Sequence, residues 1–510
     1  MRDDGVIVIG AGIAGLVSAA QLAQRGFKVT VLESAASPGG KIRQIHVDGA
    51  AIDSGPTVFT MRWVFDQVYE SLGTTLEEQL QISRLPVIAK HVWRDGSSID
   101  LFADSQRTLR AVRDFSSPSE ADRYEQFCAK IQVLYDTLEG PFIRDASPTL
   151  IGAVGKLGFH GLRVLSSIGA MQSLWDGLGR QFTDPRLRQL FARYATYCGS
   201  SPWESPATLM LIAHVEMSGV WAVQGGMYAL AKNLEQLARE RGVIFHYGTS
   251  CERLVVEGDR VRGVVCADGQ TLNCKHIVYN GDVAALRIGL LGTSGKNAMQ
   301  RSTPPRSLSA LTWSIHARTR GFELDRHNVF FDSDYQSEFD DIFKKSRLPL
   351  TPTVYVCAQD RGVSTLPEGS ERLLCLVNAP AVGDTSLLSD EAIQQCEQTS
   401  FSLLKACGLH VDHTPHNTVR TTPSQFHRLF PATGGALYGQ ATHGWMSAFA
   451  RSGSNSKIEG LFLAGGSVHP GPGVPMAAIS GQLAVEALAA HHSSTKRYHP
   501  VPTFGGTSMH

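Results

Sequence analysis

A chain of 510 residues, 43% hydrophobic and 18% charged, exceeds what one core usually supports, so two lobes are expected; the composition excludes a disordered or fibrous protein. Its 47 basic and 47 acidic residues cancel, so no overall field draws it to nucleic acid or to an anionic membrane, and any membrane contact has to be apolar. The nine cysteines are scattered without a C-x-x-C pair and read as reduced thiols in a cytoplasmic compartment.

The chain opens on a strand. Val6-Ile7-Val8-Ile9 is a β-branched run ending at Gly10, with no basic and apolar leader before it, so no signal peptide is expected. Leu16, Ala19, Ala20 and Leu22 then keep helical spacing over 13–25, Gly26 ends the helix, and 29–32 reads as a second buried strand. Strand, helix and strand with short joints predict a parallel sheet. Gly10, Gly12 and Gly15 fill the G-x-G-x-x-G pattern: a tight turn, a close approach of backbone to a pyrophosphate, and close packing of helix on sheet. Ile13 and Ala14 belong to the helix N-terminus, whose free N–H groups and dipole favour an anion. Glu33 ends the second strand and can accept from both hydroxyls of an adenosine ribose, which argues against a 2′-phosphate ligand. The fingerprint by itself leaves NAD and FAD open.

Next come the turn Ser37-Pro38-Gly39-Gly40-Lys41 and the segment Asp53-Ser54-Gly55-Pro56-Thr57. The region 110–223 reads as helical, with apolar groups over much of 162–178. The stretch 207–223 is nearest in character to a membrane span but carries His214 and Glu216, so the chain is expected to touch a bilayer without crossing it. After Trp221-Ala222-Val223-Gln224, Gly225-Gly226-Met227 opens an amphipathic helix through Leu230, Leu234 and Leu237 that stops at Gly242. Strands at 243–247, 254–256 and 261–267 follow as a meander, and others are expected at 308–316, 353–358 and 372–379. The end repeats the opening logic: a strand at 461–464, the turn Gly465-Gly466-Ser467, the run His469-Pro470-Gly471-Pro472-Gly473-Val474-Pro475-Met476, and a helix through 485 with Pro475 in its first turn. Residues 491–510 read as a polar, disordered tail.

The segments at 37–41 and 53–57 together resemble the amine oxidase and carotenoid desaturase superfamily of flavoproteins, the second being similar to bacterial phytoene desaturases. The runs at 465–476 and 221–227 resemble the hydroxyneurosporene and methoxyneurosporene desaturases of purple bacteria, the 1-hydroxycarotenoid 3,4-desaturases. The resemblance implies FAD as cofactor and an α/β fold, with a Rossmann-type FAD-binding domain and a discontinuous α+β substrate domain. It assigns 1–109, 224–285 and 451–490 to FAD binding, 110–223 to a helical substrate and membrane insert, 286–450 to the substrate sheet, and 491–510 to the tail. It also implies that Gly39, Gly40, Lys41, Gly55, Pro56 and Thr57 continue the cofactor site and that the Cys251 backbone meets the adenine. Gly465, Gly466, Val474, Pro475 and Met476 would then lie against the pyrimidine side of the flavin, where a helix N-terminus stabilises the reduced ring. Gly466 departs from the wider superfamily, which often has an acid there. The plainer alternatives are a loop between strands for 39–40, a strand-turn-helix for 461–485, and a buried thiol for Cys251.

The implied reaction is desaturation of an acyclic C40 carotenoid bearing a 1-hydroxyl or methoxyl group, by hydride transfer to flavin and loss of a proton from the adjacent carbon. Phytoene desaturation is the alternative substrate reading. An amine oxidase is the alternative among enzymes, and a non-redox lipid carrier of the Rab GDP-dissociation-inhibitor type is the alternative of another class. A delocalising polyene needs no strong buried base, and the catalytic residues stay open. His469, Glu216 and His214 are candidates whose plainer roles are structural, and Arg43 and Arg62 are as easily ribityl as surface contacts. No spacing of His and Cys suggests a metal. Oxygen or a quinone is the expected electron acceptor, because a second dinucleotide fingerprint is absent. The expected location is cytoplasmic, with peripheral membrane attachment through the apolar insert around 162–178.

Overall fold

The computed structural model describes residues 5–143, 145, 161, 163–166, 168–299, 304–362 and 369–497. Gly5–Ile9 and Lys28–Leu32 pair in parallel, joined by the helix Ile13–Gln24, as two short β-branched runs linked by a crossover must. Three distant segments complete this sheet in the order Leu461–Leu463, His276–Tyr279, Gly5–Ile9, Lys28–Leu32, Ile244–His246, all parallel. The chain leaves the first strand to one side and later returns to its other side. The carboxyl end of Gly5–Ile9 is therefore a topological switch point, where open α/β sheets form ligand crevices. One apolar cluster joins Val8 and Val31 of the sheet to Leu16, Leu230 and Leu488 of the helices Ile13–Gln24, Met227–Glu240 and Val474–Arg497. Another joins Ile7, Ile9 and Ile277 to Val261 and Val264 of a three-stranded antiparallel sheet, Cys251–Glu257, Arg260–Cys266 and Thr271–Asn273. The meander expected over 243–267 is corrected, because Ile244–His246 joins the parallel sheet and Thr271–Asn273 supplies the third strand. Covered on both sides, the central strands read as continuous apolar runs.

The second body is a seven-stranded sheet in the order Thr418–Thr421, Ser309–Ala317, Glu371–Ala379, Val354–Ala358, His327–Phe331, Val87–Trp93, Ser98–Phe102. Its pairs are antiparallel except His327–Phe331 with Val87–Trp93. The last two strands fall inside the 1–109 segment expected to serve FAD binding, yet they belong to this sheet. They cover the edge of His327–Phe331, a fully buried strand whose unpaired N–H and C=O groups would otherwise lie open.

The region after this hairpin is helical, with side chains capping each start: Asp104 for Ser105–Phe115, Ser117 for Pro118–Leu138, Asp184 for Pro185–Ala192. The helical reading of 162–178 is corrected. Residues 168–173 are turn and bend, and a new helix, Leu174–Gly179, starts on the Ser173 cap; Leu162 and Ser167 lie outside the described residues. Val164, Ile168, Leu174 and Leu178 are buried, so these apolar groups serve the core and are not on offer to lipid. The disordered tail is corrected too, because Val474–Arg497 carries helix through its first seven residues, with His491 Nε2 3.5 Å from Glu459. Residues 498–510 lie outside the described residues.

Candidate functional site

At the switch point Glu33 is nearly buried, and its Oε2 accepts the Ala11 N–H at 2.6 Å while Oε1 accepts that of Ala35 at 2.8 Å. An ionised carboxylate has about four acceptor sites, so capacity for ribose hydroxyls is left. The turn at 37–41 lies directly on the fingerprint: the Gly39 N–H donates to the Ala11 carbonyl at 2.8 Å, and a Cβ at Gly40 would come 3.2 Å from Gly12 Cα. A Cβ at Gly15 would fall 2.1 Å from the Gly10 carbonyl oxygen, so only glycine lets this helix start so close to the strand end. Gly12 is the N-cap and supplies no side chain, and no acid occupies the first turn, which leaves the Ile13 and Ala14 end of the helix suited to a phosphate.

Asn280, directly after the strand His276–Tyr279, is the residue the sequence reading missed. Its Oδ1 accepts the Gly15 N–H at 3.0 Å, and its Nδ2 donates to the Ala464 carbonyl at 3.2 Å. A Cβ at Gly12 or Gly465 would stand 2.8 Å from the same amide group. One side chain thus helps fix the spacing between the two glycine turns. The readable signal is the apolar run Ile277-Val278-Tyr279 breaking at Asn280-Gly281-Asp282.

The C-terminal turn is held by the Gly465 N–H donating to Ser480 Oγ at 3.1 Å, and by Arg451, which donates to the carbonyls of Gly466 at 3.4 Å and Gln440 at 2.9 Å. Gly481 packs the helix Val474–Arg497 on the first helix, where Ser18 Oγ donates to its carbonyl at 3.1 Å. Val474, Pro475 and Met476 therefore begin a helix lying beside the fingerprint helix. Lys41 Nζ donates to the Leu437 carbonyl at 2.6 Å; burial lowers its pKa, with Asp282 opposing. Cys251 is half-buried, pairs in register with Cys266 and packs against the cluster that contains Ile9 and Leu32, and burial pushes its thiol up to about 12.

The segment 53–57 bridges the two bodies. Asp53 accepts the Met227 N–H at 2.5 Å, exchanges backbone hydrogen bonds with the Gln359 amide at 3.0 and 2.8 Å, and is followed by Ser54, whose Oγ lies 2.5 Å from Ser314 Oγ. Gly55 presses on the Lys41 carbonyl, and Thr57 Oγ1 lies 2.7 Å from the Tyr355 hydroxyl. Gly39, Gly40, Lys41 and Gly55 are thus brought together beside the fingerprint loop, while Thr57 reaches the seven-stranded sheet.

The catalytic candidates fare differently. Glu216 is buried against Arg193, Tyr194 and Tyr197. His214 is half-buried, 5.1 Å from the Tyr135 ring, and burial lowers its pKa. The buried His469 donates its backbone N–H to Ser452 at 2.9 Å. Arg43 lies 5.5 Å over the Phe426 ring and donates to Thr421 Oγ1, and Arg62 pairs with Asp66 and Glu77. Among the described residues no group of three His, Cys, Asp or Glu could hold a metal ion.

A dinucleotide fits this chemistry: a buried carboxylate ends the second strand, a glycine-lined helix start faces the crevice, and a second glycine turn stands across it on Asn280. The sequence profile of the flavin containing amine oxidoreductase family matches residues 13–489. The chain is 56% identical to the hydroxyneurosporene desaturase of Rubrivivax gelatinosus, over 100% of this chain and 97% of that protein. It is 42% identical to the hydroxyneurosporene desaturase of Cereibacter sphaeroides, over 96% of this chain and 99% of that one. In fold it is similar to a solved oxidoreductase from Methanosarcina mazei, with TM-score 0.60, 16% identity, and coverage of 94% of this chain and 100% of that one.

Proposed function

The chain belongs to the flavin containing amine oxidoreductase family, with FAD as its cofactor, and from this premise we propose that it desaturates an acyclic C40 carotenoid bearing a 1-hydroxyl or methoxyl group, forming the 3,4 double bond near that end. The observation that carries the reading is the 56% identity, spanning the whole chain, to a hydroxyneurosporene desaturase. FAD, when bound, supplies the hydride acceptor. Around it Glu33 would hold the ribose, the start of Ile13–Gln24 would meet the pyrophosphate, and the start of Val474–Arg497 would place positive charge toward the reduced ring. Glu216 is committed to an arginine and two tyrosines, so it is no free base. This agrees with a substrate whose polyene spreads the developing charge.

Phytoene and a 1-hydroxylated neurosporene-type carotenoid, offered separately while the visible spectrum is followed, test the reading. A red shift with the hydroxylated compound is expected. Conversion of phytoene alone would make the protein a phytoene desaturase, and no shift with either would overturn carotenoid desaturation. Reoxidation of the flavin by oxygen or a quinone, and peripheral attachment to a membrane surface, complete the proposal. Among the described residues no helix is long and apolar enough to cross a membrane.

A further inference from the structure

Two short polar chains face one another between the seven-stranded sheet and the helical region. On the sheet, the Tyr355 hydroxyl lies 2.7 Å from Thr57 Oγ1 and 2.7 Å from His327 Nδ1. On the helical side, the Tyr197 hydroxyl donates to Glu216 Oε1 at 2.5 Å, and Arg193 donates to Glu216 Oε2 at 3.1 Å and to the Tyr197 oxygen at 3.3 Å. Arg193 Nε also donates to His91 Nε2 at 3.1 Å, which ties the helical chain to the sheet. Register puts these sheet residues on one face: Val329 stands opposite both Tyr355 and His91, and His327 is two residues from Val329. Burial first, and then neighbours that include Tyr197, push the Tyr355 hydroxyl pKa up, so the two tyrosines are electrostatic neighbours.

Arg193, Glu216 and His327 are buried, whereas Tyr197, Tyr355 and Thr57 keep partial exposure and are the groups a guest would meet. Each hydroxyl can donate once and accept twice, and none of the three has that capacity filled by the bonds above. His327 Nε2 is also buried without a hydrogen-bond partner among the described residues. The arginine and carboxylate cancel, so neither an amine nor a carboxylate finds an unpaired counter-charge. A neutral alcohol can both donate to the Tyr197 oxygen and accept from a hydroxyl of the facing chain, while an ether can only accept.

We propose that Tyr197 and Tyr355 form the receptor for the hydroxyl end group of the carotenoid, with Arg193, Glu216 and His327 as positioning residues behind them. The proposal rests on the desaturase reading above, in which the new double bond forms close to the oxygenated carbon. The receptor must then lie near the flavin, and Thr57, bonded to Tyr355, belongs to the 53–57 segment that the family resemblance assigns to the cofactor site.

The test compares kcat and KM of wild type, Tyr197→Phe and Tyr355→Phe on a neurosporene-type carotenoid with and without a terminal hydroxyl, with bound FAD measured by absorbance. Wild type is expected to prefer the hydroxylated compound, and each variant to lose about tenfold or more of that preference, mainly through KM, at unchanged FAD content. Should one variant fail to hold FAD, the other carries the comparison. Equal losses on both carotenoids, or a preference that survives in the variants, would overturn the receptor alone. A wild type that desaturates both equally would overturn the receptor and leave the desaturase. A wild type inactive on both would overturn the desaturase reading and the receptor with it.

Discussion

Asp53 caps a helix 174 residues away: its carboxylate accepts the Met227 N–H at 2.5 Å, at the start of Met227–Glu240. The N-cap itself is Gly226, at φ +86°, where a Cβ would lie 2.1 Å from Asp53 Oδ2. A residue of the 53–57 segment therefore does for this helix what a local serine or aspartate does elsewhere, and the glycine before it makes room. Asp53→Ala should cost about 1–2 kcal/mol in urea unfolding, as loss of a cap does. Gly226→Ala should cost more, since it meets both the positive φ and the carboxylate. A Gly226→Ala protein as stable as wild type would contradict this account.

Cofactor retention should depend on a trio. Gly12→Val would push into Asn280, whose amide stands 2.8 Å from that Cβ position, and should purify without flavin absorbance. Glu33→Ala removes the ribose acceptor together with the anchor of the Ala11 N–H and should do the same, whereas Glu33→Gln keeps an acceptor oxygen and should weaken binding less. Asn280→Ala should raise the Kd for FAD about tenfold by releasing both glycine turns. A flavin-loaded Gly12→Val protein would defeat the placement of the pyrophosphate.

The parts legible from sequence are those whose signal is local. The opening strand, helix and strand, the hairpin Cys251–Glu257 and Arg260–Cys266, and the strands Ser309–Ala317, Val354–Ala358 and Glu371–Ala379 lie within a few residues of where periodicity and glycine punctuation put them, whereas Ile244–His246, read as part of a meander, joins the parallel sheet. What escaped is long-range. Nothing near Val87–Trp93 announces a parallel partner at His327–Phe331, and nothing near Asn280 says that its amide will meet Gly15. Tyr197 and Tyr355 each look like ordinary aromatic residues until the insert is folded onto the sheet. In the apolar stretch at 162–178, pattern alone does not separate Val164, Ile168, Leu174 and Leu178, which meet the core, from Met171, which is exposed.

Stability should depend on pH through Glu338. It is fully buried, and burial raises its pKa to about 7 despite hydrogen bonds from the Thr353 N–H at 3.0 Å and Asn378 Nδ2 at 2.8 Å. Because the folded pKa is above the unfolded one, its contribution is fully present below the ordinary glutamate range and is lost as pH rises toward about 7. Glu338→Gln removes that loss. The variant should match wild type near the low end of this window and exceed it at pH above the window by roughly 1–3 kcal/mol in denaturant titrations. An advantage that is the same across the window would show that the carboxyl does not titrate as described.

Membrane attachment should run not through the buried Val164, Ile168, Leu174 and Leu178 but through exposed side chains, Met171 of the same stretch among them. Met171, Trp445 and Met446 are 76%, 46% and 39% exposed. The Gly444 N–H donates to the Glu204 carbonyl at 2.8 Å, and Ser173 bridges to Pro206, so both turns flank the segment 204–206. Large apolar side chains grouped in this way can bury surface in a bilayer at about 25 cal/mol per Å², with no net charge required. Wild type is expected to float with zwitterionic vesicles equally at low and high salt. The double substitution Trp445→Ser and Met446→Ser should reduce the bound fraction several-fold, while Ile244→Thr, at an exposed edge of the nucleotide-binding sheet, should leave it unchanged. Release by salt would mean that charge holds the protein on lipid. Failure of wild type to float would mean that the carotenoid reaches the enzyme by other means.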